Sequence, residues 1–257
     1  MQKKNKTKII IANWKMKLTL AESLELAKKF KDKFKGFNKG ETVICPAYII
    51  LDELSKLLKR TNIKVGAQNI FWEDKGSFTG EISPDMLLEA GCEYVIVGHS
   101  ERRKYLLENY DMIHKKVKAV LNVSGLTPII CIGEEAEDRK TNKRDFVLVD
   151  QLQQALGGLN ILPNQKLIVA YEPIWAIGSG VAIEPTEAEY AHKIIKLTLD
   201  DLFGINLVSN NFKIIYGGSI SAKNVKKFVG LENLDGLLVG GASLNADEFY
   251  KIAKTIL

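Results

Sequence analysis

Eight short apolar or β-branched runs recur along the chain, at 8–12, 42–45, 63–67, 94–97, 127–132, 166–171, 213–216 and 236–239. Most are continuously apolar, the pattern of parallel strands covered on both faces, where alternation would mark a sheet with one wet side. Segments of helical period lie between them. Leu20, Leu24, Ala27, Phe30 and Phe34 recur every three or four residues and share one face of a helix. Its start carries Thr19 with Glu22 three residues on, a capping box in which each side chain satisfies an orphan amide. Ser83-Pro84, Thr186 ahead of Glu187 and Glu189, and Asn245 ahead of Asp247 and Glu248 mark further helix starts. Strands joined by helices require right-handed crossovers, and eight such units without a long linker close into a barrel more readily than they extend an open sheet. The expectation is an α/β fold, a single (β/α)8 barrel domain over residues 1–257.

Composition sets the bounds around that fold. A length of 257 residues is ordinary for one closed barrel, and 46% hydrophobic with 26% charged residues describes a globular chain. The net charge of +5 is spread along the chain as lysines without interleaved aromatics, which reads as a solvated surface and not a nucleic-acid face, and is compatible with a small anionic substrate. Cys45, Cys92 and Cys131 lie far apart in apolar surroundings, with neither metal-ligand nor disulfide spacing. No metal or cofactor is expected. The apolar stretch after the basic start, residues 9–12, is too short for a secretory core or a membrane span, so a cytoplasmic protein is expected.

In a barrel of this kind the functional groups stand on the loops that follow strands. After the first strand come Asn13 and Lys15, two apart and pointing to one side if the strand continues; a lysine turned into the mouth needs an anion. After the fourth, His99 sits where Gly98-His99-Ser100-Glu101 turns into a helix. Amides there disfavour the imidazolium and leave a neutral ring able to donate to a carbonyl. His114 and His192 fall inside helical patterns and read as structural. After the sixth strand comes Glu172, with Tyr171, Pro173, Ile174 and Trp175 beside it and the glycine-rich tip Gly178-Ser179-Gly180 beyond. A carboxylate in an apolar mouth suits a general base, and proline followed by glycines suits a hinged lid. After the seventh and eighth strands come Gly217-Gly218-Ser219 and Gly240-Gly241-Ala242-Ser243, adjacent tips whose unobstructed amides suit a phosphate dianion.

Taken together, Asn13-Trp14-Lys15-Met16, Gly66-Ala67-Gln68-Asn69, Gly76-Ser77-Phe78-Thr79-Gly80-Glu81-Ile82-Ser83, Gly98-His99-Ser100-Glu101-Arg102-Arg103, Ala170-Tyr171-Glu172-Pro173-Ile174-Trp175-Ala176, Tyr216-Gly217-Gly218-Ser219 and Gly240-Gly241-Ala242-Ser243 resemble the motifs of the triosephosphate isomerase family, in order and along the whole chain. The resemblance implies a TIM barrel that interconverts dihydroxyacetone phosphate and D-glyceraldehyde 3-phosphate in glycolysis and gluconeogenesis. Glu172 would shuttle the proton through an enediolate, with His99 as electrophile, Lys15 and Asn13 positioning the substrate, and the amides of Gly178, Ser219, Gly240 and Gly241 holding its phosphate. It also implies a homodimer, in which loop 71–80 carries Phe78 and Thr79 into a second subunit.

One segment departs from the family pattern. The lid runs Gly178-Ser179-Gly180-Val181-Ala182-Ile183, where the family more often has threonine between the glycines and a basic then small residues after them. Altered lid kinetics are the expected consequence, because that hinge must change its backbone angles. Two rival readings are a Schiff-base aldolase built on Lys15 and a non-catalytic binding protein. The intact trio of Lys15, His99 and Glu172 speaks against the second.

Overall fold

The computed structural model describes residues 7–177 and 183–257. Its eight strands pair in parallel with their neighbours in chain order, and β1 (Ile9–Asn13) pairs with β8 (Gly236–Val239) to close the barrel. Between them stand β2 (Glu41–Cys45), β3 (Ile63–Ala67), β4 (Tyr94–Val97), β5 (Thr127–Ile132), β6 (Leu167–Tyr171) and β7 (Phe212–Tyr216). Each begins and ends within a residue of its sequence-predicted run.

The unbroken apolar runs follow from two cores. Ile9 and Ile11 of β1 point into the barrel with Val43, Ile96, Ile129 and Cys131. The intervening Ile10 and Ala12 join the layer between strands and helices. Alternate residues of a strand face opposite sides, so a strand lined by protein on both faces shows no polar half.

The outer layer comprises α1 (Leu20–Lys33), α2 (Leu51–Leu58), α3 (Pro84–Glu89), α4 (Ser100–Leu106), α5 (Tyr110–Asn122), α6 (Ala136–Lys140), α7 (Arg144–Leu156), α8 (Pro185–Phe203), α9 (Ile205–Asn211) and α10 (Ala246–Ile256). The capping box of α1 forms as expected, Ser83 caps α3 with Pro84 in its first turn, and Asn245 caps α10. The start of α8 differs. Pro185 opens the helix with its preset φ, and Thr186 lies inside the first turn without capping it. Alternation is also looser than one helix per strand. Two helices each follow β4, β5 and β6, whereas β7 is followed by only a 3-10 turn at Val225–Phe228. Few residues separate β7 from β8, and Gly217, Gly218 and Gly230 interrupt any helical run there.

Candidate active site

Glu172 follows β6 directly and is 1% exposed. Its backbone amide donates to the Ile132 carbonyl at 2.7 Å, which continues the β5–β6 ladder by one residue and fixes where the side chain leaves the strand. Oε2 accepts from the Ser100 amide at 3.3 Å, and Oε1 lies 3.2 Å from His99 Nε2. Two glycines make room for it. A Cβ on Gly133 would stand 1.7 Å from the Glu172 carbonyl oxygen, and one on Gly217 would stand 2.9 Å from Glu172 Cγ. The Tyr171 hydroxyl and the Trp175 indole both donate to Glu134 Oε1, at 3.1 and 2.9 Å, so these two sequence neighbours are directed to Glu134. The wall around the Glu172 side chain includes the tips of β5 and β7 and the start of α4. Buried Cys131 belongs to it: burial pushes the thiol well up, and the Glu172 carboxylate nearby adds to the effect.

His99 caps α4 in the way its position predicts. Its Nδ1 accepts from the Glu101 amide at 3.2 Å, so Nδ1 carries no proton and the hydrogen of a neutral ring sits on Nε2, the nitrogen that faces Glu172. A donor is thus aimed at the place where a carbonyl oxygen would lie beside the base.

Lys15 reaches the mouth by another route than strand continuation. β1 ends at Asn13, and Lys15 takes a left-handed φ of 54° while its amide donates to Asn13 Oδ1 at 3.1 Å. Gln68 at the end of β3 holds the turn by donating to the carbonyls of Lys15 and Cys45, each at 3.0 Å. A lysine in this region costs on the order of 1 kcal/mol or more, and such strain persists where surrounding bonds hold the turn in place. The ammonium pairs with Glu101 at 2.7 Å and stands near the β8 tip, its Cε 3.4 Å from where a Gly240 Cβ would be. Asn13, Lys15, His99 and Glu172 therefore come together at one end of the barrel.

The phosphate tips divide. Gly217 and Gly218 are required for close approach, since a Cβ on Gly218 would strike the Tyr216 hydroxyl at 2.1 Å. Gly241 faces open space, and the Gly240 carbonyl accepts from the Ser243 amide at the start of a short 3-10 turn. Ser219 stands at the neighbouring tip, its carbonyl accepting from Asn224 at 3.2 Å. Gly178, Val181 and Ala182 lie outside the described residues; Ile183, where description resumes, is buried.

Several supporting residues carry no sequence motif of their own. Buried Glu108 accepts from the Gly98 amide at 3.1 Å, from Arg102 at 2.5 Å and from Lys116 at 2.7 Å, tying the turn before His99 to α4 and α5. Burial pushes its carboxyl up, but Lys116 and Arg102 together outweigh this and hold it low. Glu134 anchors the segment that follows Glu172. Besides the two ring donors, its carbonyl accepts from the Ile174 amide at 3.1 Å, and burial raises its carboxyl in spite of those bonds. Glu134 stands two residues beyond β5, the one signal that would have marked it, whereas Glu108, between α4 and α5, carries none. Among the described residues, no group of three or more His, Cys, Asp or Glu side chains is placed to hold a metal ion.

Fold and mouth define a class first: a (β/α)8-barrel protein whose polar side chains Asn13, Lys15, His99 and Glu172 gather at one set of strand tips. Comparison narrows it. The triosephosphate isomerase family model matches residues 8–256. The chain is 44% identical to the triosephosphate isomerase of Dictyoglomus turgidum, over 96% of this chain and 99% of that one. It is also 44% identical to the enzyme of Thermodesulfovibrio yellowstonii, over 96% and 98%. The crystal structure of triosephosphate isomerase from Bartonella henselae superposes with a TM-score of 0.85 at 32% identity, covering 97% of this chain and 99% of that one. The chain belongs to the triosephosphate isomerase family.

Proposed function

We propose that the protein interconverts dihydroxyacetone phosphate and D-glyceraldehyde 3-phosphate, with Glu172 as the base that carries the proton. The observation that carries this reading is the Glu172–His99 pair: a buried carboxylate 3.2 Å from a histidine nitrogen whose partner nitrogen already accepts an amide. Glu172 takes a proton from the C1 carbon of the ketose, and the electrons pass to the carbonyl oxygen to give an enediolate. The His99 Nε2–H donates to that oxygen, and the Lys15 ammonium adds positive charge beside it. The proton of the C1 hydroxyl passes to the C2 oxygen by way of His99, and return of the carbon-bound proton to C2 then gives the aldose.

In the state described, Glu172 rests against the Ser100 amide and His99. Substrate takes the place of that contact, and the carboxylate shifts toward the mouth as the segment from Pro173 closes. Ser219, Gly240 and Gly241 offer amides to the phosphate, joined by Gly178 from the lid. Excluding water protects the enediolate from expelling phosphate.

The active form is a dimer. Met16 is 94% exposed, and Ile49, Phe78, Met86, Tyr105 and Leu106 are exposed apolar side chains following β1 to β4, four consecutive strands of the barrel. An apolar face of that extent suits a second copy of the chain. Loop 71–80 supplies Phe78, whose ring packs on Phe71 at 4.6 Å between centroids, and exposed Thr79, which reaches the partner's mouth. Sedimentation of a stable, active monomer at micromolar concentration would refute the dimer.

The reaction is tested by incubating purified protein with dihydroxyacetone phosphate in deuterium oxide and following the product by NMR. Glyceraldehyde 3-phosphate carrying deuterium at C2 is the expected result. Absence of conversion, or a covalent adduct trapped on Lys15 by borohydride, would contradict proton transfer and favour imine chemistry.

A further inference from the structure

At the end of the barrel opposite the mouth, where the strands begin, lies a cavity of about 680 Å³ that the reaction does not use. Its floor is built across the barrel. Glu41, the first residue of β2, accepts on Oε2 from Lys213 of β7 at 3.0 Å and on Oε1 from the hydroxyl of Tyr94, the first residue of β4. Both oxygens of that carboxylate are engaged, so it is held in place and is not free to pair with Lys64 or Lys166. Lys166, just ahead of β6, donates to the Asn210 carbonyl at 2.9 Å and, among the described residues, pairs with no carboxylate. Lys64 of β3 pairs with Glu93 at 2.9 Å, but the two side chains are 40% and 46% exposed, and an exposed pair of that kind is weak and exchanges readily. The lining thus holds three lysines and one glutamate. An ammonium has three donors, and Lys166 and Lys213 each spend one on the protein.

We infer that this cavity binds a compact polyanion bearing two or more phosphate groups, either a bisphosphorylated sugar or a short inorganic polyphosphate. Its volume suits a molecule of that size, and ammonium groups from three strands suit charge distributed over separated oxygens. Tyr94 and Phe212, the aromatic residues of the lining, are buried and offer no open ring on which a nucleobase could stack.

The test is titration calorimetry of the intact protein with tripolyphosphate and, separately, with fructose 1,6-bisphosphate. It compares the natural protein with a Lys64→Gln/Lys166→Gln variant, whose changes lie away from the mouth. The expected result is that the natural protein binds at least one probe with an equivalent per chain that the variant loses or binds at least tenfold more weakly, with kcat/KM for isomerisation unchanged as a check on folding. The probe that binds identifies the source. No binding of either probe, or binding that the variant leaves unchanged, would overturn the proposal. If the variant fails to fold, amide NMR of the natural protein decides: probe-induced shifts at Thr61, Lys64 and Thr127 support the site, and shifts confined to the mouth overturn it.

Discussion

Glu172 is held by absences as much as by bonds: two neighbouring strand tips carry glycine where any side chain would occupy its space. At Gly217 the added Cβ would meet Glu172 Cγ at 2.9 Å, within reach of a small displacement of the carboxylate. Gly217→Ala is predicted to lower kcat by tenfold or more with KM altered less, because a slight misplacement of the base affects the transition state more than substrate binding. Steady-state kinetics check this, and an unchanged kcat would show that the wall can yield. Replacing Lys15 with alanine removes a preorganised positive charge, and the loss in kcat/KM is predicted at about 3 kcal/mol, roughly a hundredfold or more. The four polar groups of the mouth were legible in sequence because each follows a strand end. Their surroundings were not. The apolar residues adjacent to Glu172 in the chain serve Glu134, while the residues that enclose it come from β4, β5 and β7, and linear order carries no trace of that meeting.

At the scale of elements, the position of His99 depends on how α4 is seated. Glu108 bonds the Gly98 amide before the histidine and Arg102 after it, and Lys116 on α5 completes the set. Removing one partner of a buried ion pair leaves the other charge uncompensated, so Glu108→Gln is predicted to cost about 3–5 kcal/mol of stability, read as a lowered urea midpoint. Restoring a basic-small-small sequence at Val181-Ala182-Ile183 is predicted to change the lid relaxation rate measured by NMR. Rates indistinguishable from the natural protein would refute a kinetic role for that hinge. Strand positions were legible to within a residue because both faces of each strand are apolar. Helix boundaries were less so. The start of α8 is set by the fixed φ of Pro185 more than by a capping side chain, and the segment after β7 is too short and glycine-rich to continue as an α-helix.

For the whole molecule, stability and acidity are linked through a histidine remote from the chemistry. His192 on α8 is buried, and burial lowers its pKa to about 4, against an opposing bond to the Asn233 backbone. The unfolded chain takes up a proton below about pH 6.5, while the folded protein resists it until about pH 4. The contribution is therefore complete above pH 6.5 and is lost as pH falls from 6.5 to 4, by a total on the order of 3 kcal/mol. Urea midpoints measured across that window should fall less steeply for His192→Gln than for the natural protein. The closed barrel itself was legible from the number and spacing of the apolar runs, whereas the cavity at its far end arises from Glu41, Lys64, Lys166 and Lys213, which meet only once the strands close. Whether Glu172 carries the proton is decided by a coupled isomerase assay on natural protein and Glu172→Gln in parallel: a general base accounts for about 10²–10⁴-fold, so kcat should fall by that factor. Equal activity in the two proteins would show that another group moves the proton.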